Sequence, residues 1–119
     1  MPFKSILKNL VEETPHASGA LLADWEGEAV EHHCRYDDYE LKLLGAHKGI
    51  ILNRMRDIQA DVSGGNLQDV VITTDKQLII IGAAGPDYAL VMTLERDAVV
   101  GLARYRMRQA LQLLIKEIY

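Results

Sequence analysis

The fold is decided by residues 67–94: Leu67-Gln-Asp-Val-Val-Ile-Thr-Thr74, Gln77-Leu-Ile-Ile-Ile-Gly-Ala-Ala84 and Tyr88-Ala-Leu-Val-Met-Thr-Leu94. These runs are rich in Val, Ile, Leu and Thr, which pack well on a pleated surface and mark strands. Asp75-Lys76 and Gly85-Pro-Asp87 separate them, and turns this short join antiparallel neighbours. Leu78–Ile81 and Ala89–Met92 barely alternate in polarity. A strand with one wet face alternates, so these two need cover on both faces. The reading is an antiparallel meander buried between two layers.

Working outward, Asp97 is expected to cap a helix running to about Ile118. Its core stripe is Val99, Val100, Ala103, Met107, Ala110, Leu111, Leu114 and Ile118, with Arg104 and Arg108 at one edge. Arg104, Arg106 and Arg108 spread over much of the circumference, which reads as a solvated face. At the other end Phe3, Ile6, Leu7, Leu10 and Val11 recur at helical spacing, predicting an amphipathic helix over 3–13 closed by Pro15. Ala17–Asp24 and Glu28–Arg35 flank Asp24-Trp-Glu-Gly27, hairpin chemistry in which Gly27 is free to take positive φ. Alternation sets Val30 and His32 on one side of the second strand and Glu31 and His33 on the other.

Asp37-Asp-Tyr-Glu40 opens a long helix with a capping box, and its periodicity continues to about Ile58. Leu41, Leu44, Ile51, Leu52, Met55 and Ile58 form a core stripe. Leu43 and Ile50, with His47 and Arg54, lie on a second ridge. Gly45 and Gly49 make a third line, where a backbone can come close. A helix apolar over more than one stripe is buried on more than one side, so one side should meet the sheet and the other a partner. The element order is α-β-β-α-β-β-β-α. It fits an α+β fold, a three-layer α/β/α sandwich with an antiparallel sheet, as a single domain over 1–119.

The 119 residues, 49% apolar and 25% charged, have ordinary globular composition, which excludes disordered and collagen-like classes. A net charge of −4 argues against nucleic acid or an anionic membrane as the main partner. No apolar run approaches the ~20 residues that span a bilayer, and the N-terminus does not read as a signal peptide. One cysteine, Cys34, fits a reducing compartment, so a cytoplasmic location is expected.

Little in the sequence suggests catalysis. His32-His33-Cys34 holds metal-ligand residue types, with His32 and Cys34 on one strand face, but a structural zinc site needs four ligands and no second pair accompanies them. Asp24 and Glu26 sit at a hairpin tip, where exposed carboxylates keep ordinary pKa values. Trp25 on that tip either folds onto the core or waits for a partner. Gly64-Gly65 lacks the Lys-Ser or Lys-Thr of a phosphate loop, and Gly82-Ala-Ala-Gly85 lies between strands. The expectation is a protein that is not an enzyme, with no cofactor and no metal.

Several strings resemble the Roadblock/dynein light chain family, and the similarity covers nearly the whole chain. Ser18-Gly-Ala-Leu-Leu-Ala-Asp-Trp-Glu-Gly27 is similar to that family's first hairpin. Val99-Val-Gly101-Leu-Ala-Arg104 looks like the start of its last helix, and Asp69–Thr74, Leu78–Ile81 and Tyr88–Leu94 look like its last three strands. The resemblance implies a profilin-like, five-stranded antiparallel sheet with the first and last helices on one face and the middle helix on the other. It also implies homodimers, or pairs with a paralogue, in which the middle helices pack together and the third strands join two sheets. An open apolar edge along 67–74 is an aggregation hazard that such pairing removes.

Family members act with small Ras-like GTPases, and those similar to bacterial gliding-motility (Mgl-type) regulators accelerate GTP hydrolysis by their partner. The resemblance therefore implies a dimeric regulator of a small Ras-like GTPase; the alternative is a non-catalytic scaffold in a signalling or motor complex. The candidate interface is Leu43, His47, Ile50 and Arg54 on the middle helix and Asp69, Val71 and Thr73 on the third strand, with Trp25 as a secondary contact. Arg54 is the one arginine nominated as a finger toward the GTPase.

Overall fold

The computed structural model describes residues 2–24, 28–35 and 68–119. Helix α1 spans Pro2–Glu13, followed by strands β1 (Ala17–Asp24), β2 (Ala29–Cys34), β3 (Asp69–Thr73), β4 (Gln77–Ala84) and β5 (Tyr88–Glu95). Helix α2 covers Val100–Ile118. The helix expected over 37–58, the glycines at 45 and 49, and Trp25 lie outside the described residues.

The strands form one five-stranded antiparallel sheet in the order β2-β1-β5-β4-β3. The last strand in sequence is the central one, and β2 and β3 are the edges. Successive side chains on a strand point to opposite faces. Ala20 and Leu22, Leu78 and Ile80, and Leu90 and Met92 thus enter one core with Leu7, Leu10 and Val11 of α1 and Met107 and Leu114 of α2. Leu21 and Ala23, Ile79 and Ile81, and Ala89 and Val91 form a second core on the other face. Leu21, Ile81 and Val91 have no solvent exposure, so the missing alternation does reflect burial on both sides. Each Leu or Ile so buried stabilises the fold by about 1.5–3 kcal/mol relative to an exposed one.

A register shift between Ala17 and Gly19 marks a bulge at Ser18 where β1 pairs with β5. Ser18 is buried there, and its hydroxyl donates to the Thr93 carbonyl at 3.0 Å. Its oxygen accepts in turn from Thr93 Oγ1 at 2.8 Å, so both buried hydroxyls are satisfied.

Two features of α2 differ from expectation. The residue at its N-cap is Val99, in extended conformation and without a side-chain cap bond. Asp97 sits in the preceding turn, where Ala98 N–H bonds the Glu95 carbonyl at 3.0 Å, and so falls two positions short of the cap. Val99, outside the helical phase, is 67% exposed and does not join the core. The rest of the stripe packs inward, with Ala103, Met107, Ala110 and Leu114 buried and Val100, Leu111 and Ile118 partly so.

Two glycines of the β4–β5 hairpin set how closely its neighbours approach. A Cβ on Gly82 would lie 2.8 Å from Leu111 Cδ1, so its absence lets α2 settle against β4. Gly85 has φ of 74°, and a Cβ there would lie 2.5 Å from the Tyr119 ring. Tyr119 in turn donates from its hydroxyl to Asp87 Oδ2 at 2.8 Å. Gly85→Ala therefore combines left-handed backbone strain with loss of the Tyr119 contact and should cost about 1–2 kcal/mol. Urea denaturation should show a lower midpoint with an unchanged slope.

Candidate partner-binding edge

Strand β3 is an edge of the described sheet. Ala83 N–H bonds the Gln68 carbonyl at 3.0 Å and Thr74 N–H the Gln77 carbonyl at 2.9 Å, which fixes the phase of the ladder. Antiparallel pairing alternates, so Gln68, Val70, Ile72 and Thr74 bond toward β4. Asp69, Val71 and Thr73 turn their N–H and C=O groups away from the sheet, and among the described residues nothing pairs with them. Val70 and Ile72 pack toward the second core, whereas Val71 keeps 37% of its surface exposed and Thr73 is exposed.

The three β3 residues nominated from sequence thus lie together on this edge, with different duties. Asp69 is held within the protomer, because Arg104 of α2 donates to it from Nη2 at 3.1 Å and 3.2 Å and from Nε at 3.3 Å. The Asp69 side chain is 15% exposed and that of Arg104 39%. Its carboxylate therefore ties α2 to the edge strand, while its backbone still faces outward. Leu43, His47, Ile50 and Arg54 lie outside the described residues.

The arginine run is less uniform than a solvated face. Arg104 is in the ion pair, and Arg106 has a buried Nε without an acceptor and donates from Nη1 to Gln109 Oε1 at 3.5 Å. Arg108 is exposed. Arg106 borders a groove between α1 and α2 of about 600 Å³, floored by Ile6, Leu10 and Ala110. Asp24 ends β1 opposite Tyr88, its Oδ1 accepting from Glu28 N–H at 3.0 Å.

On β2, His32 pairs in register with Leu21 and Cys34 with Gly19, which puts both on the second-core face. Cys34 packs against that core. Among the described residues no three His, Cys, Asp or Glu side chains gather as a metal site would require. Val30 falls at a register shift and is 44% exposed, out of the simple alternation with His32. His33 pairs with Ala20 on the α1 side. Its pKa is lowered from 6.5 by burial first, and then by Lys4, Lys8 and Arg35, with Glu12 opposing them.

The Roadblock/LC7 domain profile matches residues 4–94. The chain belongs to that family. The fold agrees with the Roadblock/LC7 domain of Streptomyces avermitilis at a TM-score of 0.88 and 21% identity, covering 97% of this chain and 96% of that one. Myxococcus xanthus MglB is similar at 0.86 and 18% identity, with 98% and 87% covered. Profilin Ib of Acanthamoeba castellanii superposes at 0.69 and 12% identity over 98% and 99%, placing this Roadblock domain in a wider profilin-like architecture. No curated protein matches the sequence. No described helix is long and apolar enough to cross a membrane.

Two outcomes follow for this Roadblock domain. A double-mutant cycle on Asp69→Asn and Arg104→Met should give a coupling of about 1 kcal/mol in urea, as half-exposed ion pairs do. For His33, the unfolded chain binds more protons than the folded one between the lowered value and 6.5. Its contribution is therefore level above 6.5 and falls as pH drops through that window. His33→Gln should flatten this part of a stability profile measured from pH ~7.5 to ~5.5.

Proposed function

We propose that this Roadblock domain forms a homodimer, or a pair with a paralogue, that binds a small Ras-like GTPase and modulates its hydrolysis or nucleotide state. The observation that carries the pairing is the outward backbone of Asp69, Val71 and Thr73, unpartnered among the described residues, beside the exposed Val71 side chain. Two such edges meeting antiparallel satisfy one another's donors and acceptors and bury an apolar strip. Binding to a GTPase is supported by family membership and by the likeness to MglB. In this reading the chain is not itself an enzyme and works in the cytoplasm without a cofactor.

A regulator of this kind shifts the GTPase only by its different affinity for the GTP and GDP states. Two mechanisms differ in what they ask of the dimer. An inserted arginine, for which Arg54 is the candidate, supplies about 10³–10⁵ in rate. Positioning the GTPase's own groups requires no arginine from the partner, and this is the mechanism proposed.

The test pairs light scattering of the purified chain with capture of a Ras-like GTPase from the same organism, loaded with GDP or a non-hydrolysable GTP analogue. A two-protomer mass, preferential capture of the GTP form and faster single-turnover hydrolysis are expected, with stimulation kept by Arg54→Ala. Equal capture with no rate change makes the dimer a scaffold, and no capture removes the GTPase reading.

A further inference from the structure

The two sheet edges are not equivalent. On β2, Arg35 N–H bonds the Ser18 carbonyl at 3.0 Å, so Arg35, His33 and Glu31 face β1 with their backbone groups. His32 and Cys34 turn theirs outward, as Asp69, Val71 and Thr73 do on β3. Both outward groups of His32 are already taken by side chains. Lys4 Nζ, reaching over from α1, donates to the His32 carbonyl at 2.7 Å. Glu31 Oε1 accepts from the His32 N–H at 3.1 Å, and the same oxygen lies 3.7 Å from Lys4 Nζ. Ammonium, carboxylate and the two backbone groups form one closed clip across the middle of the strand.

From this geometry we infer that the Lys4–Glu31 clip is a stop on sheet growth, closing the β2 edge so that association through β3 ends at two protomers. An incoming strand needs the N–H and C=O of His32, and to reach them it must displace the clip. It must also cover the Lys4 ammonium, whose side chain is 48% exposed. Uncovering the backbone while dehydrating a charge opposes the bonds a new strand would gain. The irregularity at Val30 adds a bend to the same edge. On β3, the neighbouring charged side chain, Asp69, is drawn back to Arg104, and among the described residues no side chain lies over the outward backbone. The number two rests on the β3 pairing proposed above; the closure of β2 stands without it.

The experiment is sedimentation velocity on the full chain over a concentration series, comparing wild type with Lys4→Met, Glu31→Ala and Lys4→Arg. Lys4→Met keeps the stem on an exposed helix position, and circular dichroism of each variant checks that the fold is retained. Wild type and Lys4→Arg should keep one mass, while Lys4→Met and Glu31→Ala should grow with concentration and reverse on dilution, with the average mass roughly doubling or more. Adding Val71→Lys to Lys4→Met should return growth to pairs joined through β2 alone. Variants that match wild type throughout, growth shared by Lys4→Arg, or growth that dilution does not reverse would each overturn the inference. If wild type runs as a single protomer, the β3 pairing fails; a reversible pair formed by Lys4→Met would still support closure of β2.

Discussion

Insertion of β5 between β1 and β4 puts Leu90 and Met92 against the helices and Ala89 and Val91 into the opposite core, and the other elements are disposed around that arrangement. Neither β1 nor β4 has an unpaired side. Both faces of these three strands exclude water, so their polar groups must be satisfied locally. Ser18 and Thr93 do so with each other at the bulge. Gly82 serves the same end differently, by letting α2 lie close enough that no gap opens over β4.

With the three central strands paired on both sides, the sheet's own backbone can meet a partner only at β2 and β3. The described periphery is electrostatically uneven. Along β2 charged side chains lie over the backbone; along β3 the nearby carboxylate is turned back to Arg104 and no described side chain covers the backbone. Pairing chemistry is thus concentrated on one side of the sheet. In the proposed dimer, that asymmetry directs a partner copy to β3.

Much of the fold was legible because strand and helix periods answer to simple geometry. Gln77–Ala84 is found with the expected bounds, and the absent alternation in Leu78–Ile81 and Ala89–Met92 announced burial on both faces. The full strand order was not legible, since hydrophobic pattern says which face is buried and not which strand is neighbour; the tight turns gave the β3-β4-β5 meander, and the pairing of β1 with β5 is seen only in the structure. The start of α2 was misplaced because Asp97 has cap chemistry but a turn absorbs it, and Val99 looked like core because an extended residue was read with helical phase. The Lys4–Glu31–His32 clip was invisible for another reason. It joins residues far apart in the chain through one carbonyl and one N–H, and backbone groups leave no mark on composition. Asp69 was singled out on the right strand, but its ion pair with Arg104 depends on how α2 crosses β4.

The central position of β5 also has a bearing on synthesis. As the chain emerges from a ribosome, the β1–β2 hairpin and the β3–β4 hairpin are complete before residues 88–95 appear. Each has one edge that will end up buried, and neither has its native neighbour. At about 5–20 residues per second, the β1–β2 hairpin waits several seconds for the strand that pairs with both, and the β3–β4 hairpin about a second. The sheet can therefore be completed only when this last strand arrives, as an arch is by its keystone. Truncation before the last strand would leave two hairpins that share no edge.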